Sequence, residues 1–363
     1  MYSKSMIVAA QPEAAEAGAR VLMAGGNAVD AAVTAALVQG AVDPQMCGIA
    51  GFGNCQLLLP DQDIHTCIDF HGKTPLAASP KMWEDLIISE TRDGFGFVLK
   101  DNVNDLGYQS VTTPGSLKAY YEALENFGTW DWSDVVAPAI KHAEQGFVVR
   151  PHVAFWWNYG ANYGRVGVDE RLRYSKTGAE SYFDSSGNLK KIGDKVKISG
   201  MAETLKKIAK YGPDIFYKGE IAEKISEDMK KNGGLLSYED LSTYSTKWTD
   251  PLVGKYRDFG ISTNHPPGGG IMLLEMLNIL ENFNLSKLGH NSTEYIRVVC
   301  EAMKQATVDK ESFVGDPDFV NVPIRRLLSK KHAMQCSKHI LSGQKINIDR
   351  IGQFESKDTT HVS

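Results

Sequence analysis

The sequence predicts an α/β chain, and three observations carry that prediction. A short apolar run, Met6 to Gln11 (MIVAAQ), feeds two alanine-rich helical stretches. A glycine-rich loop precedes two strand-like runs joined by a turn. Most of the remainder carries apolar residues at helical spacing, interrupted by one further stretch that reads as one or two strands. With 363 residues, 42% of them hydrophobic, the chain can bury the core of one large or two moderate domains. It shows no fixed-period repeat, no low-complexity linker and no obvious domain seam.

Met6–Gln11 reads as a short buried strand. The helix after it starts at Pro12, where the missing N–H costs nothing, and ends at Gly25-Gly26. NAVDAAVTAALVQGAVDP is a second helix, capped by Asn27 and stopped near Gly40. Gly48, Gly51 and Gly53 lie in a loop that comes before a strand and not between a strand and a helix. Close backbone packing therefore fits it better than a phosphate site. Cys55–Leu59 and His65–Phe70 follow as a hairpin around Pro60-Asp61-Gln62-Asp63.

The middle of the chain is read as mostly helical, in the segments before Gly128, around DWSDVVAPAIKHAEQGF and from Ser199 to Gly234. LSYEDLSTYSTKW is a short helix entering an extended region, and DPLVGKYRDFGISTN is one or two strands. HPPGGG can be an anion nest or a helix entry turn, and the turn is the better reading. It leads into a strongly apolar helix. An amphipathic helix capped by Asn291 or Ser292 and a final helix over PIRRLLSKKHAMQCSKHIL complete the chain.

Composition removes several functions. A net charge of -5 and lysine pairs such as Lys190-Lys191, Lys206-Lys207 and Lys330-Lys331 give no basic stripe for nucleic acid. Cys47, Cys55, Cys67, Cys300 and Cys336 are odd in number, scattered and without a CxxC pair, which suits a reducing compartment. No signal-length or membrane-length apolar run is present. A cytoplasmic protein without membrane or nucleic-acid partners is expected. The nine histidines form no HExxH; His332 and His339, seven apart on one helix, stand about 10 Å from each other and cannot share an ion. No metal and no cofactor is expected.

The remaining chemistry is in FESKDTTHVS, residues 354–363. A threonine hydroxyl needs a base, and a threonine at a chain N-terminus has one in its own α-amine, with an ordinary pKa of about 7.7–8.0. An internal threonine gains that amine only when the chain is cut before it. Composition alone does not distinguish this from an ordinary polar tail.

Many segments, in order, resemble the large subunit of gamma-glutamyltranspeptidases, which are N-terminal-nucleophile hydrolases. They include EAAEAGARVLMAGGNAVDAAVTAALVQGAVDPQMCGIAGFGN, VTTPGSLKAYYEALENFGTWDWSDVVAPAIKHAEQGFVV, PPGGGIMLLEMLNILENF and EAMKQATVDKESFVGDPDFV. The resemblance implies a four-layer αββα sandwich shared by two subunits cut from one precursor. Residues 1–358 would be the large-subunit portion and 359–363 the first residues of the small subunit. The sandwich would then be incomplete, because the small-subunit half is absent.

By position, Asp358–Thr359 would be the peptide cut in autoprocessing. Thr359 would be the nucleophile, and Thr360 and His361 would support it at the start of a strand. The uncut chain is expected to be inactive, a zymogen segment. The expected partners are a small-molecule amide substrate and the small subunit from the same precursor, in a heterodimer or a dimer of heterodimers.

The chain departs from the family where typical members read DFRE and this one reads Asp69-Phe70-His71-Gly72. The family arginine grips the donor α-carboxylate with a bidentate fork that His71 cannot reproduce. The usual Ser-Gly after the prolines is Gly268-Gly269 here, a milder change. Three readings follow. One is a gamma-glutamyl acyl-transferring hydrolase. The second is an amidohydrolase of the same family acting on a non-glutamyl small acid, oxamate- or acylase-like. The third is a degenerate, unprocessed homologue acting as a binding or scaffold protein.

Overall fold

The computed structural model describes residues 5–91, 96–161 and 164–348. In chain order the helices and strands are α1 (Pro12–Met23), α2 (Ala28–Val42), β1 (Gly53–Leu59), β2 (Ile64–Phe70), β3 (Ile87–Glu90), β4 (Phe97–Leu99), α3 (Ser116–Phe127), α4 (Trp132–Gln145), β5 (Phe147–Val148), α5 (Pro151–Trp157), α6 (Val168–Arg173) and α7 (Lys176–Tyr182). There follow β6 (Lys195–Val196), α8 (Met201–Tyr211), α9 (Asp214–Tyr217), α10 (Glu220–Lys231), α11 (Tyr238–Thr243), β7 (Lys247–Thr249), β8 (Leu252–Tyr256), β9 (Phe259–Thr263), α12 (Gly270–Leu280), α13 (Leu285–Leu288), α14 (Thr293–Phe313), α15 (Ile324–Leu327) and α16 (Lys330–Leu341). The predicted α/β class holds. Among the described residues no helix is long and apolar enough to cross a membrane.

The chain forms two compact units. One holds the described residues through Gly53 together with Phe70–Thr246. The other joins Asn54–Asp69 to the described residues from Lys247 onward. The sequence showed no seam because the second unit is discontinuous: a hairpin of sixteen residues is donated from early in the chain to a segment far downstream, with no linker to mark the exit.

In the first unit α2 is the central helix. Twelve of its 15 residues are buried, so it is apolar on every side, as a helix enclosed by others must be. Its start is fixed by a capping box. The Asn27 side chain accepts from the backbone N–H groups of Val29 and Asp30, and the Asp30 carboxylate accepts from Asn27 N at 2.8 Å. Asn27 Nδ2 donates to Phe127 O at 2.6 Å, which ties this start to the end of α3.

The expected strand at Met6–Gln11 does not form. Met6 and Val8 are exposed, at 84% and 54%. Ile7 packs instead on α1, where a Cβ at Gly18 would lie 2.9 Å from Ile7 Cγ1. The run alternates like a strand but has no ladder partner among the described residues; packing on α1 holds it.

In the second unit β1, β2 and β7 form a three-stranded sheet, with Cys67 opposite Thr249, Ile68 opposite Trp248 and Asp69 opposite Lys247. β8 and β9 form a hairpin whose core residue Leu252 joins Ile271, Leu274 and Leu327. α12, α14 and α16 enclose Ile279, Ala302, Ala333 and Ile340, all at 0% exposure. The final helix, expected as one piece, breaks before Ser329, whose hydroxyl accepts from His332 N and starts α16. HPPGGG is a turn into α12: Asn264 Oδ1 accepts from Gly270 N at 3.1 Å.

Candidate active site

Asp358, Thr359, Thr360 and His361 lie outside the described residues. Of the residues singled out from the sequence, the structure places His71. It follows the end of β2, just after Phe70, which is buried and packs edge-to-face on Tyr120 with ring centres 5.9 Å apart.

The backbone around His71 is held from several sides. Tyr244 Oη donates to His71 O at 2.9 Å. Lys73 and Thr113 exchange two backbone hydrogen bonds, at 2.8 and 3.2 Å. Gly115 N and Ser116 N both donate to Gly51 O, at 2.9 and 3.0 Å, and Tyr217 Oη donates to Pro114 O at 3.1 Å. Tyr217 and Tyr244 stack at 5.9 Å with their rings 18° apart. Two glycines make this approach possible. A Cβ on Gly72 would lie 2.2 Å from Thr112 Oγ1, and one on Gly115 would lie 2.0 Å from Tyr244 Oη and 2.7 Å from Phe70 O. Neither position accepts a side chain without moving its neighbours. The Gly48–Gly51 loop is likewise a close-packing device: a Cβ on Gly51 would lie 3.1 Å from both Gly48 O and Ser116 Oγ.

The result is a clamped extended segment that offers a half-buried imidazole at His71 and, two residues on, an ammonium at Lys73. Lys73 Nζ lies 3.3 Å from Ser245 Oγ and 5.1 Å from the Tyr244 ring centre. A histidine here can supply one directional hydrogen bond to a ligand, against the two parallel bonds of an arginine. Lys73, Thr112, Gly115, Tyr217 and Tyr244 did not stand out in the sequence. Lys73 is a chain neighbour, but only the pairing of distant segments brings Thr112, Gly115, Tyr217 and Tyr244 to His71.

Beneath the start of the glycine loop is a buried polar group. Asp43 Oδ2 accepts from Gln11 Nε2 at 3.0 Å and from Gln39 Nε2 at 2.9 Å, and Gln11 Nε2 also lies 2.9 Å from His152 Nε2. Burial pushes the Asp43 carboxyl up, against these hydrogen bonds and the charge of His152. The same burial, aided by Asp43, pushes the nearby Cys47 thiol up to about 12. Burial also raises Cys55, to about 11, and Cys336, to about 12. These thiols are held protonated and are poor nucleophiles.

The gamma-glutamyltranspeptidase family model matches residues 14–363. The chain belongs to the gamma-glutamyltranspeptidase family. It is 36% identical over 372 residues to the acylase ACY 1 proenzyme of Pseudomonas sp. (strain SE83), covering 99% of this chain and 63% of that protein. It is 34% identical over 372 residues to the glutathione hydrolase proenzyme of Escherichia coli (strain K12), covering 99% of this chain and 60% of that one. The chain thus spans about three fifths of the length of these curated relatives. Its fold is that of the solved gamma-glutamyltranspeptidase of Helicobacter pylori, with a TM-score of 0.84, 31% identity and 99% of each chain covered. Both curated relatives are named as proenzymes.

Proposed function

We propose that this gamma-glutamyltranspeptidase-family chain belongs to a precursor that cuts itself between Asp358 and Thr359 and then works as an amide acyl-transferring hydrolase. Family membership over a span that includes Thr359, Thr360 and His361 carries this reading. In the precursor, Thr359 Oγ attacks the Asp358 carbonyl, the acyl group passes from nitrogen to oxygen, and water hydrolyses the ester. The amine so freed on Thr359 then serves as general base for Oγ. In turnover Oγ attacks the substrate carbonyl, the amine passes the proton to the leaving nitrogen, and water or an acceptor amine releases the acyl group. The small subunit would come from the same precursor. Intact-mass analysis of the full-length gene product tests the cut: wild type is expected as two chains, the second starting at Thr359, and Thr359→Ala as one. The same single mass for both would overturn the proposal.

His71 favours a second, finer reading, in which the substrate is a small-acid amide without the γ-glutamyl group. The wild-type enzyme is then expected to turn over oxamate or an acylase substrate in preference to γ-glutamyl-p-nitroanilide. His71→Arg should shift the ratio of kcat/KM values towards the glutamyl substrate by about tenfold or more, the worth of one added charge-assisted hydrogen bond. A wild type that already prefers the glutamyl substrate, with no gain in His71→Arg, would remove this reading and leave the threonine mechanism standing.

A further inference from the structure

Glu275 on α12, Asp309 on α14, and His332 and Cys336 on α16 converge inside the second unit. His332 Nε2 lies 3.0 Å from Glu275 Oε1 and 3.1 Å from Asp309 Oδ2. Cys336 Sγ lies 3.6 Å from the same nitrogen. One donor atom each from Asp309, His332 and Cys336 fall within 4.8 Å of one another. Glu275, Asp309 and Cys336 are buried, and the His332 side chain is only 12% exposed.

Two features mark this set apart from an ordinary buried ion pair. The first is its donor chemistry and spacing. His332 and Cys336 are four apart, one turn on a single helix face, so both can reach one ion. Zinc–nitrogen and zinc–sulfur bonds of about 2.0–2.3 Å in a tetrahedron place donors roughly 3.5 Å from each other, close to the separations seen here. A thiolate, an imidazole and carboxylates form a donor set suited to a borderline dication such as Zn²⁺ and ill suited to Mg²⁺ or Ca²⁺. The second is access. A cleft of about 470 Å³, lined by Gln305, His332, Cys336, His339 and Lys345, opens on the imidazole and the thiol. Outer partners are also in place: Gln305 Nε2 donates to Asp309 Oδ2 at 2.6 Å, the kind of contact that fixes a ligating carboxylate.

We propose that Asp309, His332 and Cys336, with Glu275 completing the set, form a Zn²⁺ site that ties α12, α14 and α16 together. On binding, zinc takes the Nε2 lone pair of His332, leaving the imidazole proton on Nδ1, and displaces to solvent both the thiol proton of Cys336 and the proton shared by Glu275 and Asp309. With every position filled by protein, the site is structural. It is independent of cutting at Thr359 and of the choice of acyl substrate.

Cobalt titration of the chelator-treated, full-length protein tests it. One equivalent of Co²⁺ should give intense visible bands of a tetrahedral site and a thiolate-to-cobalt charge-transfer band in the near ultraviolet, both removed by Zn²⁺. Cys336→Ser, a near-isosteric change, should lose the charge-transfer band and bind Zn²⁺ at least ~100-fold more weakly, the upper end of the loss from removing a mere outer partner. Far-ultraviolet circular dichroism of that variant confirms that it folds. A wild type without the charge-transfer band overturns the proposal whatever the variants do, and so does a band that persists undiminished in Cys336→Ser.

Discussion

Asp30 in the first unit and Glu275 in the second are both buried carboxyls, at 0% and 1% exposure, yet their environments drive them in opposite directions. Burial pushes Asp30 up, but donors outweigh it: the Thr129 hydroxyl at 2.6 Å and the backbone N–H groups of Asn27, Thr129 and Trp130 at 2.8–3.2 Å leave its pKa below the ordinary carboxylate value. Among the described residues Glu275 has no such ring of backbone donors. Burial, the hydrogen bond with Asp309 and its charge push Glu275 up to about 9, with Arg326 opposing. Burial alone does not set the charge of a carboxyl; the number of donors aimed at it does. One carboxylate is a finished structural cap, and the other is part of a cluster of mutually dependent side chains.

The largest effect that could break this contrast is at Asp30. Asp30→Asn presents an amide NH₂ to donors that now face an oxygen, and is expected to cost about 3 kcal/mol in urea unfolding at neutral pH. Glu275→Gln keeps the shape and loses no backbone donor, so without added metal it should cost under about 1 kcal/mol. Equal losses at the two positions would refute the donor-count argument. The pH dependence sharpens it. Because the folded pKa of Asp30 is depressed, its contribution is complete above the unfolded value of about 3.9 and is lost as pH falls through the folded value. The stability gap between wild type and Asp30→Asn should therefore narrow below about pH 4.

The legibility of the two regions in the sequence differs for the same reason. The cap at Asn27 and Asp30 is a local pattern, three residues apart before an apolar run, so it reads directly from the chain. Pro12 and the hairpin turn at Pro60–Asp63 are equally local. The cluster in the second unit draws on three helices separated by tens of residues. Its one local signal is the His332-x-x-x-Cys336 spacing, and comparing histidines only with histidines passes over it. The clamp around His71 is less legible still, because Tyr244 and Thr113 reach it through long-range pairing. Met6–Gln11 failed as a strand for the converse reason: a strand-like pattern needs a partner, and among the described residues none pairs with it.

Thr359 reads as chemistry only through the family, since nothing local separates Asp358-Thr359-Thr360-His361 from a polar tail. The direct test is a rapid-quench intact-mass measurement of the full-length, processed enzyme with a slowly hydrolysed amide substrate. The account predicts an acyl adduct on the chain that starts at Thr359, localised by peptide mapping to that residue. An adduct on any other residue, or turnover by protein with no chain starting at Thr359, would contradict it.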